Sequence, residues 1–179
     1  MIVLVGFLLS IWVAPQVQGP SSAQAPAAPA TTWPGWQMLL GDWVGDSGRG
    51  APGSPTSSSF SFAYDLDRKV IVRRDRADYP ATKDRPAFRH DGLMIISQDD
   101  SKQTLAISYD NEGHMIPFDV ALSARRAVFT SPAGTAGPRF RLTYVETTAG
   151  LAVRFEIAPP DHPDQFAVYV EGTAHRASK

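Results

Sequence analysis

The stretch that decides the fold is residues 39–45, LLGDWVG, which continues into DSGRG at residues 46–50. A single tryptophan, Trp43, stands between two glycines directly after a short apolar run. Glycine lets a strand bend or lets another backbone come close, and the indole is a large apolar plate that can close one end of a cavity. We therefore predict that this stretch is the first strand of a closed antiparallel barrel, with Trp43 sealing the closed end.

Short alternating segments occupy most of the remaining chain. Residues 60–64, FSFAY, carry an aromatic at every second position, and residues 140–144 and 151–157 alternate as cleanly. Such period-two patterns indicate half-buried strands, and DNEG at residues 110–113 between two apolar runs indicates a hairpin. The sequence therefore predicts an all-β fold, a single antiparallel up-and-down β-barrel of about 8–10 strands.

The N-terminal region has the features of an export signal. Residues 1–14 form an apolar run that stops at Pro15 and is shorter than the roughly 20 residues of a transmembrane helix. Ala23-Gln24-Ala25 supplies the small-x-small pattern of a cleavage site, whereas a buried N-terminal helix is the alternative interpretation. We predict a signal peptide at residues 1–25, a flexible Ala/Pro leader at residues 26–32 and a barrel domain at residues 33–179. The protein is then periplasmic or secreted, with no membrane span in its mature form.

Two segments bear on how the barrel ends are closed. Trp33 and Trp36 are predicted to lie on a short helical turn that plugs one end, although they could instead pin the N-terminus to the surface. Residues 51–59 are rich in Gly, Pro and Ser, and we predict a flexible loop there, at the mouth, where access to a cavity is commonly controlled. Residues 78–86 contain two prolines and are predicted to form a second loop.

Composition excludes some classes of function. The formal net charge of the 179 residues is −1, which argues against a nucleic-acid partner because phosphate binding needs a basic face. The chain has no cysteine, so disulfides and thiolate chemistry are excluded. The four histidines show no metal-ligand spacing, and we predict no metal site.

Polar candidates for a binding site come from several strand ends. They are Arg73, Arg76 and Tyr79 at the end of one strand, His90 after the second loop, and Tyr109 and His114 around one hairpin. If these ends converge, they form a mouth suited to a carboxylate or phosphate headgroup, because arginine offers two-pronged donor geometry. Alternatively, most of these side chains face solvent.

The alternating strands leave the polarity of the interior open between two cases. Residues 151–157 place Leu, Val, Phe and Ile on one face and Arg154 and Glu156 on the other, and Arg141 likewise opposes apolar neighbours. An inward apolar face gives a greasy cavity, whereas an inward charged face makes catalysis plausible. The apolar count favours the greasy interior. Arg141, Tyr169 and Trp43 complete the set of candidate ligand-binding residues.

The Gly41-x-Trp43 motif, the strand series and the amphipathic last strand resemble the calycin group of barrels, namely lipocalins, fatty-acid-binding proteins and haem-binding nitrobindin-like proteins. Ala77-Asp78-Tyr79 is similar to the lipocalin Thr-Asp-Tyr motif but lies much earlier in the chain. The resemblance implies a cavity and a small apolar or amphiphilic ligand, fatty-acid-like or haem-like, and implies no reaction. Haem-binding members use a histidine near the C-terminus, for which His175 is the positional candidate.

Three functions follow from these expectations. The leading hypothesis is a small-molecule-binding barrel in which Arg176 packs over Trp43 through a cation–π contact. The second is an enzyme at the barrel mouth, with His90 or His114 in acid–base catalysis and Arg73 or Arg76 as an anion clamp. The third is an envelope scaffold whose barrel has a filled interior.

Overall fold

A computed structural model describes residues 33–46, 55–134 and 137–178 of the chain. Ten strands follow one 3-10 turn at Trp36–Met38. They are β1 (Gly41–Gly45), β2 (Ser57–Asp65), β3 (Val70–Tyr79), β4 (Phe88–Gln98), β5 (Thr104–Asp110), β6 (Met115–Ser123), β7 (Arg126–Thr130), β8 (Arg139–Glu146), β9 (Leu151–Ala158) and β10 (Ala167–Arg176). Each strand pairs antiparallel with the next, and β1 pairs with β10, so the sheet closes into an up-and-down barrel. The predicted fold class is confirmed.

Alternation decides which side chains fill the barrel. On β2 the aromatic Phe60, Phe62 and Tyr64 pack in or against the core, while the small residues between them face outward. On β9 the inward set is Leu151, Val153, Phe155 and Ile157. Leu151 is fully buried, and the partners of the other three across β8 belong to the core or pack against it. The apolar faces of these strands therefore point inward, as the sequence predicts.

Residues 33–40 cover one end of the barrel, which we call the base. Trp36 and Leu39 are almost completely buried, and the Trp36 ring meets Phe129 edge-on at 6.1 Å between centroids. The indole N–H of Trp33 donates to the carbonyl of Arg68, 2.8 Å away, in the turn between β2 and β3. The predicted helical plug is therefore present as a 3-10 turn. The opposite end is called the mouth.

The Gly41-x-Trp43 spacing has a direct structural reason. Trp43 is 4% exposed, and the Arg176 guanidinium carbon lies 4.1 Å from its ring centroid, which is the expected cation–π contact. Arg176 also donates to the carbonyl of Leu40. Gly41 has a φ of +107°, and a Cβ there would overlap the Arg176 guanidinium. The positive φ therefore favours glycine at position 41, and the absent side chain leaves room for the Arg176 guanidinium.

Several predicted loop boundaries are wrong. β2 begins at Ser57, so residues 57–59 of the predicted loop belong to a strand, and residues 51–54 of that loop lie outside the described part. β3 continues to Tyr79 and β4 begins at Phe88, which places His90 within a strand. The reason is a cross-strand stack of Tyr79 on Phe88, with centroids 4.6 Å apart, that extends the ladder through a polar segment.

Two further features concern single strands. Pro117 pairs only with β5, because the register between β6 and β7 starts at Asp119. A proline is tolerated there since no β7 ladder needs its missing donor. β10 carries a bulge between Val168 and Val170, where its register with β9 shifts.

The predicted signal peptide and leader, residues 1–32, lie outside the described residues. Among the described residues, no helix has the length and apolar character needed to cross a bilayer.

Candidate functional site

The interior of the barrel is filled at the base and partly open at the mouth. Inward side chains in the base half, such as Phe62, Met94, Phe129 and Tyr144, are almost fully buried. Inward side chains in the mouth half remain partly exposed. We call this mouth-half interior the cup; its walls include Tyr79, Phe88, His90, Ile116, Phe140 and Phe155. The cup is the candidate site because it is the concave, accessible part of the interior.

A line of polar side chains descends one wall of the cup. Arg73 and Asp75 on β3 are two residues apart, so both point inward, and the Asp75 carboxylate contacts the Arg73 guanidinium. The other Asp75 oxygen lies 3.7 Å from Nε2 of His90 on β4. His90 Nδ1 in turn lies 2.8 Å from Oε1 of Glu112. We call these four residues the polar line.

Gly92 makes room for the polar line. It lies directly opposite Asp75 in the β3–β4 register, and a Cβ placed on it would overlap the Asp75 carboxylate. The space left by the absent side chain lets the carboxylate lie over the β4 backbone. Neither Asp75 nor Gly92 is among the predicted site residues, although a glycine inside a strand is a known sign of close approach.

The floor of the polar line holds two buried polar atoms without partners. Within the described residues, the Nε–H of Arg73 and the hydroxyl of Tyr144 have no hydrogen-bond partner. The Arg73 guanidinium carbon is 5.8 Å from the Phe60 ring centroid and 6.0 Å from that of Tyr144. Buried polar groups are normally hydrogen-bonded, which makes these two polar atoms candidates for contact with a ligand oxygen.

Burial and the nearby Asp75 carboxylate determine the protonation states of Arg73 and Tyr144 at the floor. Burial raises the pKa of Tyr144 to about 12, with Asp75 acting in the same direction and Arg73 opposing. Burial disfavours the charged Arg73, but the negative charge of Asp75 outweighs this effect and raises the pKa of Arg73. At neutral pH, Arg73 is therefore a cation and Tyr144 a neutral hydroxyl.

Aromatic residues form the rim of the cup. The stacked pair Tyr79 and Phe88 is capped by Arg85, whose guanidinium carbon lies 4.0 Å from the Phe88 centroid. Burial raises the pKa of Tyr79, and nearby Tyr169 and Glu112 add to the shift. Tyr169, at the β10 bulge, meets Phe155 edge-on with centroids 6.3 Å apart. The predicted candidates Tyr79 and Tyr169 therefore both lie at the mouth.

Three predicted candidates face outward and do not join the cup. Arg76 pairs with Asp91 at 2.8 Å, and Arg141 holds Glu156 through two hydrogen bonds of 2.7 Å. Tyr109 is on the outer face of β5. Arg76 and Tyr109 therefore do not share the predicted mouth with Arg73 and His90. Arg76 lies three positions from Arg73 on β3 and so faces the opposite side of the sheet, and Tyr109 pairs with the outward Leu93.

The remaining candidates are separated from the polar line. His114 is mostly exposed, and its Nδ1 lies 2.8 Å from Asp110 within the β5–β6 hairpin. His175 faces outward and pairs with Asp46 at 2.7 Å, so its ring does not point into the barrel. Trp43 is inside but in the base half, stacked on Phe60 with centroids 6.1 Å apart. The predicted enzyme site, which requires His90 or His114 beside Arg73 or Arg76, is reduced to His90 and Arg73.

The electrostatics of the cup do not favour an anionic headgroup. Below Arg85 at the rim, Arg73 faces Asp75, and His90 faces both Asp75 and Glu112. Asp110 adds a further inward carboxylate. Burial opposes its charge, but hydrogen bonds from the His114 backbone and ring and from the Glu112 backbone lower the pKa of Asp110. The described residues of the cup therefore carry more carboxylates than free cations.

A separate cleft of about 560 Å³ lies along the outside of the barrel. It is lined mainly by outward residues of β1 to β4, including Asp42, Val44, Ser59, Ser61 and Arg74. Four residues at inward strand positions, Trp43, Phe60, Asp75 and Gly92, also border this cleft. Among the described residues, no group of three or more His, Asp or Glu could hold a metal ion.

No protein-family model and no curated protein matches the chain. The ten-strand antiparallel barrel is compatible with a calycin-like fold, and inferences about function therefore depend on the geometry of the cup.

Proposed function

We propose that the barrel binds a small amphiphilic molecule in the cup, with its apolar body against the aromatic and aliphatic walls and a neutral oxygen at the floor. The observation that carries the proposal is the pair of unpartnered buried donors, the Nε–H of Arg73 and the hydroxyl of Tyr144. An oxygen acceptor between them satisfies both. The surrounding walls are half-buried apolar side chains that lose their remaining water contact when a ligand enters.

Both the oxygen and the apolar body of such a ligand would contribute to its binding free energy. An unpaired buried donor costs about 1–3 kcal/mol, a cost that a ligand oxygen removes. Each methylene transferred from water to the apolar wall contributes about 0.8 kcal/mol. Phe140 and Phe155, stacked with centroids 5.9 Å apart, provide a flat surface for that part of the ligand.

The headgroup is proposed to be neutral and not a carboxylate. A carboxylate at the floor would stand near Asp75 and below Asp110 and Glu112, and like charges at short range repel. A hydroxyl, ester or ketone oxygen accepts the same hydrogen bonds without this repulsion. This narrows the expected fatty-acid-like ligand to its neutral relatives, such as a long-chain alcohol. A haem-like ligand, with two carboxylates, meets the same repulsion.

Tryptophan fluorescence tests this proposal directly, since Trp43 stacks on Phe60, whose ring borders Arg73. The full chain is titrated with 1-dodecanol, lauric acid and haem at pH 7. We expect saturable binding of the alcohol, with a lower Kd than for the acid of equal chain length. Tighter binding of lauric acid or haem would contradict the neutral headgroup. No response to any of the three would contradict binding itself and would favour the filled-barrel scaffold.

A conservative variant tests the floor. Tyr144→Phe removes one buried hydroxyl and is expected to weaken dodecanol binding roughly 2–10-fold, the effect of one hydrogen bond. The unliganded variant should be at least as stable as the parent, because the lost hydroxyl has no partner. Tyr109→Phe, on the outer face, is the matched control and should leave the Kd unchanged. Equal affinity of Tyr144→Phe and the parent would exclude the floor as the contact.

A further inference from the structure

The outer face of β4, β5 and β6 carries a continuous apolar surface. We call it the outer patch; it consists of Leu93, Ile95, Leu105, Ile107, Tyr109 and Met115. Ile95, Leu105, Ile107 and Tyr109 are each about 40% exposed, and Met115 is 66% exposed. These residues point away from the barrel core, so neither the fold nor the cup accounts for them.

The strand register makes the patch contiguous. Leu93 lies opposite Tyr109, and Tyr109 lies opposite Met115. In the next outward row, Ile95 lies opposite Ile107, which lies opposite Pro117. With strands about 4.8 Å apart and outward neighbours about 7 Å apart along a strand, the patch covers on the order of 400 Å². An exposed apolar area of this size is comparable to the largest patch of a typical monomeric protein, and such patches are often functional.

Two unpaired charges stand at opposite corners of the patch. Arg74 lies beside Leu93 across the β3–β4 register, and Asp119 lies beside Leu105 across the β5–β6 register. Neither makes an ion pair within the part of the chain that the structure describes. The two corners are diagonal, because Arg74 belongs to the row nearest the mouth and Asp119 to the row nearest the base.

We propose that the outer patch docks a second copy of this chain, face to face about a twofold axis. An axis that lies in the interface, perpendicular to the Arg74–Asp119 diagonal, brings Arg74 of each protomer onto Asp119 of its partner. It also lays one apolar patch on the other. An isologous interface of this kind needs a self-complementary surface, and opposite charges at diagonal corners provide one. The proposal does not depend on ligand binding in the cup.

Other occupants fit the surface less well. Adsorption to an anionic membrane surface needs a basic rim, whereas here one arginine and one aspartate cancel. Strand addition at the free part of β6 is blocked by Pro117, since proline on an edge prevents ladder extension. The patch is about half of the roughly 800 Å² that each partner of a standard interface buries. The dimer should therefore dissociate on dilution.

Sedimentation velocity of the full chain over a concentration series is the test. The parent is expected to shift from monomer to dimer as the concentration rises. Ile107→Lys places a charge at the patch centre and should leave only monomer. Val168→Lys is the matched control, because Val168 is equally apolar and exposed but lies on β10, across the barrel; it should dimerise like the parent. Circular dichroism melts verify that each variant folds.

A charge exchange tests the orientation. Asp119→Arg sets two arginines against each other and should raise the dimer Kd about tenfold or more, equivalent to about 1.4 kcal/mol. Adding Arg74→Asp reverses both corners and should restore the parent Kd.

A monomeric parent at every concentration, or a dimer unaffected by Ile107→Lys, would overturn the proposal. Failure of the double exchange to rescue would overturn the twofold arrangement. Binding of a monomeric parent to neutral phosphatidylcholine vesicles, abolished by Ile107→Lys, would assign the patch to lipid instead.

Discussion

Gly92 controls the polar line by lacking a side chain. The Asp75 carboxylate occupies the space that a Cβ on Gly92 would fill, and from there it reaches both Arg73 and His90. Gly92→Ala therefore pushes the carboxylate away and leaves the buried guanidinium of Arg73 without its counter-charge. Because an unpaired buried charge is costly, we expect the free energy of unfolding, measured by urea denaturation, to fall by about 1–3 kcal/mol.

The control for this variant is a second glycine on an inward row. Gly172 lies on β10 opposite Val153, and a Cβ there would meet no atom within 4 Å. Gly172→Ala should leave stability unchanged or raise it slightly, since alanine restricts the unfolded chain. Equal losses in the two variants would mean that a side chain is unfavourable at any inward glycine position, and that the Asp75 contact does not explain the effect.

The sequence does not predict which side chains face inward in a segment made only of charged residues. Arg73-Arg74-Asp75-Arg76 has no apolar alternation, so a period-two pattern cannot show which members face inward. The strand pairing determines the orientation of Arg73, because its cross-strand partners Phe62 on β2 and Met94 on β4 are both core residues. The contact of Trp43 with Arg176 was predictable because a large indole in the first strand needs a cover and an arginine follows directly after the last predicted strand.

Between β8 and β9, a charged pair stabilises the outside of the wall. Glu156 is outward yet only 6% exposed, because Arg141 holds it bidentately and Phe166 lies 4.2 Å from the Arg141 guanidinium carbon. Phe166 immediately precedes β10, which begins at Ala167, and its ring covers the Arg141 guanidinium. The alternation along residues 151–157 predicted the inward face of β9 correctly. It contains no information about the packing of Phe166, which lies in the loop after β9, on Arg141.

The pair gives stability a defined dependence on pH. Hydrogen bonds from Arg141 lower the pKa of Glu156 below 4.5 despite burial. A group with a depressed folded pKa contributes stability above its unfolded pKa and loses it as the pH falls through the folded pKa. Glu156→Gln should therefore cost about 1–3 kcal/mol at pH 7, a range reduced because Arg141 is one-third exposed. The difference from the parent should shrink steadily below pH 4.5.

Urea denaturation at pH 7, 5, 4 and 3 measures this effect. Glu171→Gln is the control, since Glu171 pairs with Arg154 on the exposed surface, where ion pairs contribute little. It should lie within about 0.5 kcal/mol of the parent at each pH. A Glu156→Gln deficit that stays constant down to pH 3 would show that lost packing, and not the carboxylate charge, is responsible.

For the whole molecule, the seam between β1 and β10 decides whether the barrel stays closed. The two strands share three register pairs, whereas β3 and β4 share ten. Closure removes the free edges of a sheet, so opening this short seam exposes two at once. Arg176 spans the seam from inside, over Trp43 and onto the Leu40 carbonyl, while Asp46 pairs with His175 on the outside. A closed barrel was predictable from strand count and alternation, but this weak point depends on register.

Hydrogen exchange should reveal the seam as the first part of the barrel to open. Arg176→Met keeps an apolar stem over Trp43 but removes a cation–π contact that contributes about 0.5–2 kcal/mol. Amide exchange in β1 and at the end of β10 should therefore accelerate roughly 2–30-fold, while β3 and β4 keep their protection. Arg125→Met, which removes an arginine from the exposed β6–β7 turn, is the control and should leave the seam unchanged. If Arg176→Met accelerates exchange equally in all strands, the barrel opens only by global unfolding. The seam would then have no separate stability, and closure would be as strong as any other strand pairing.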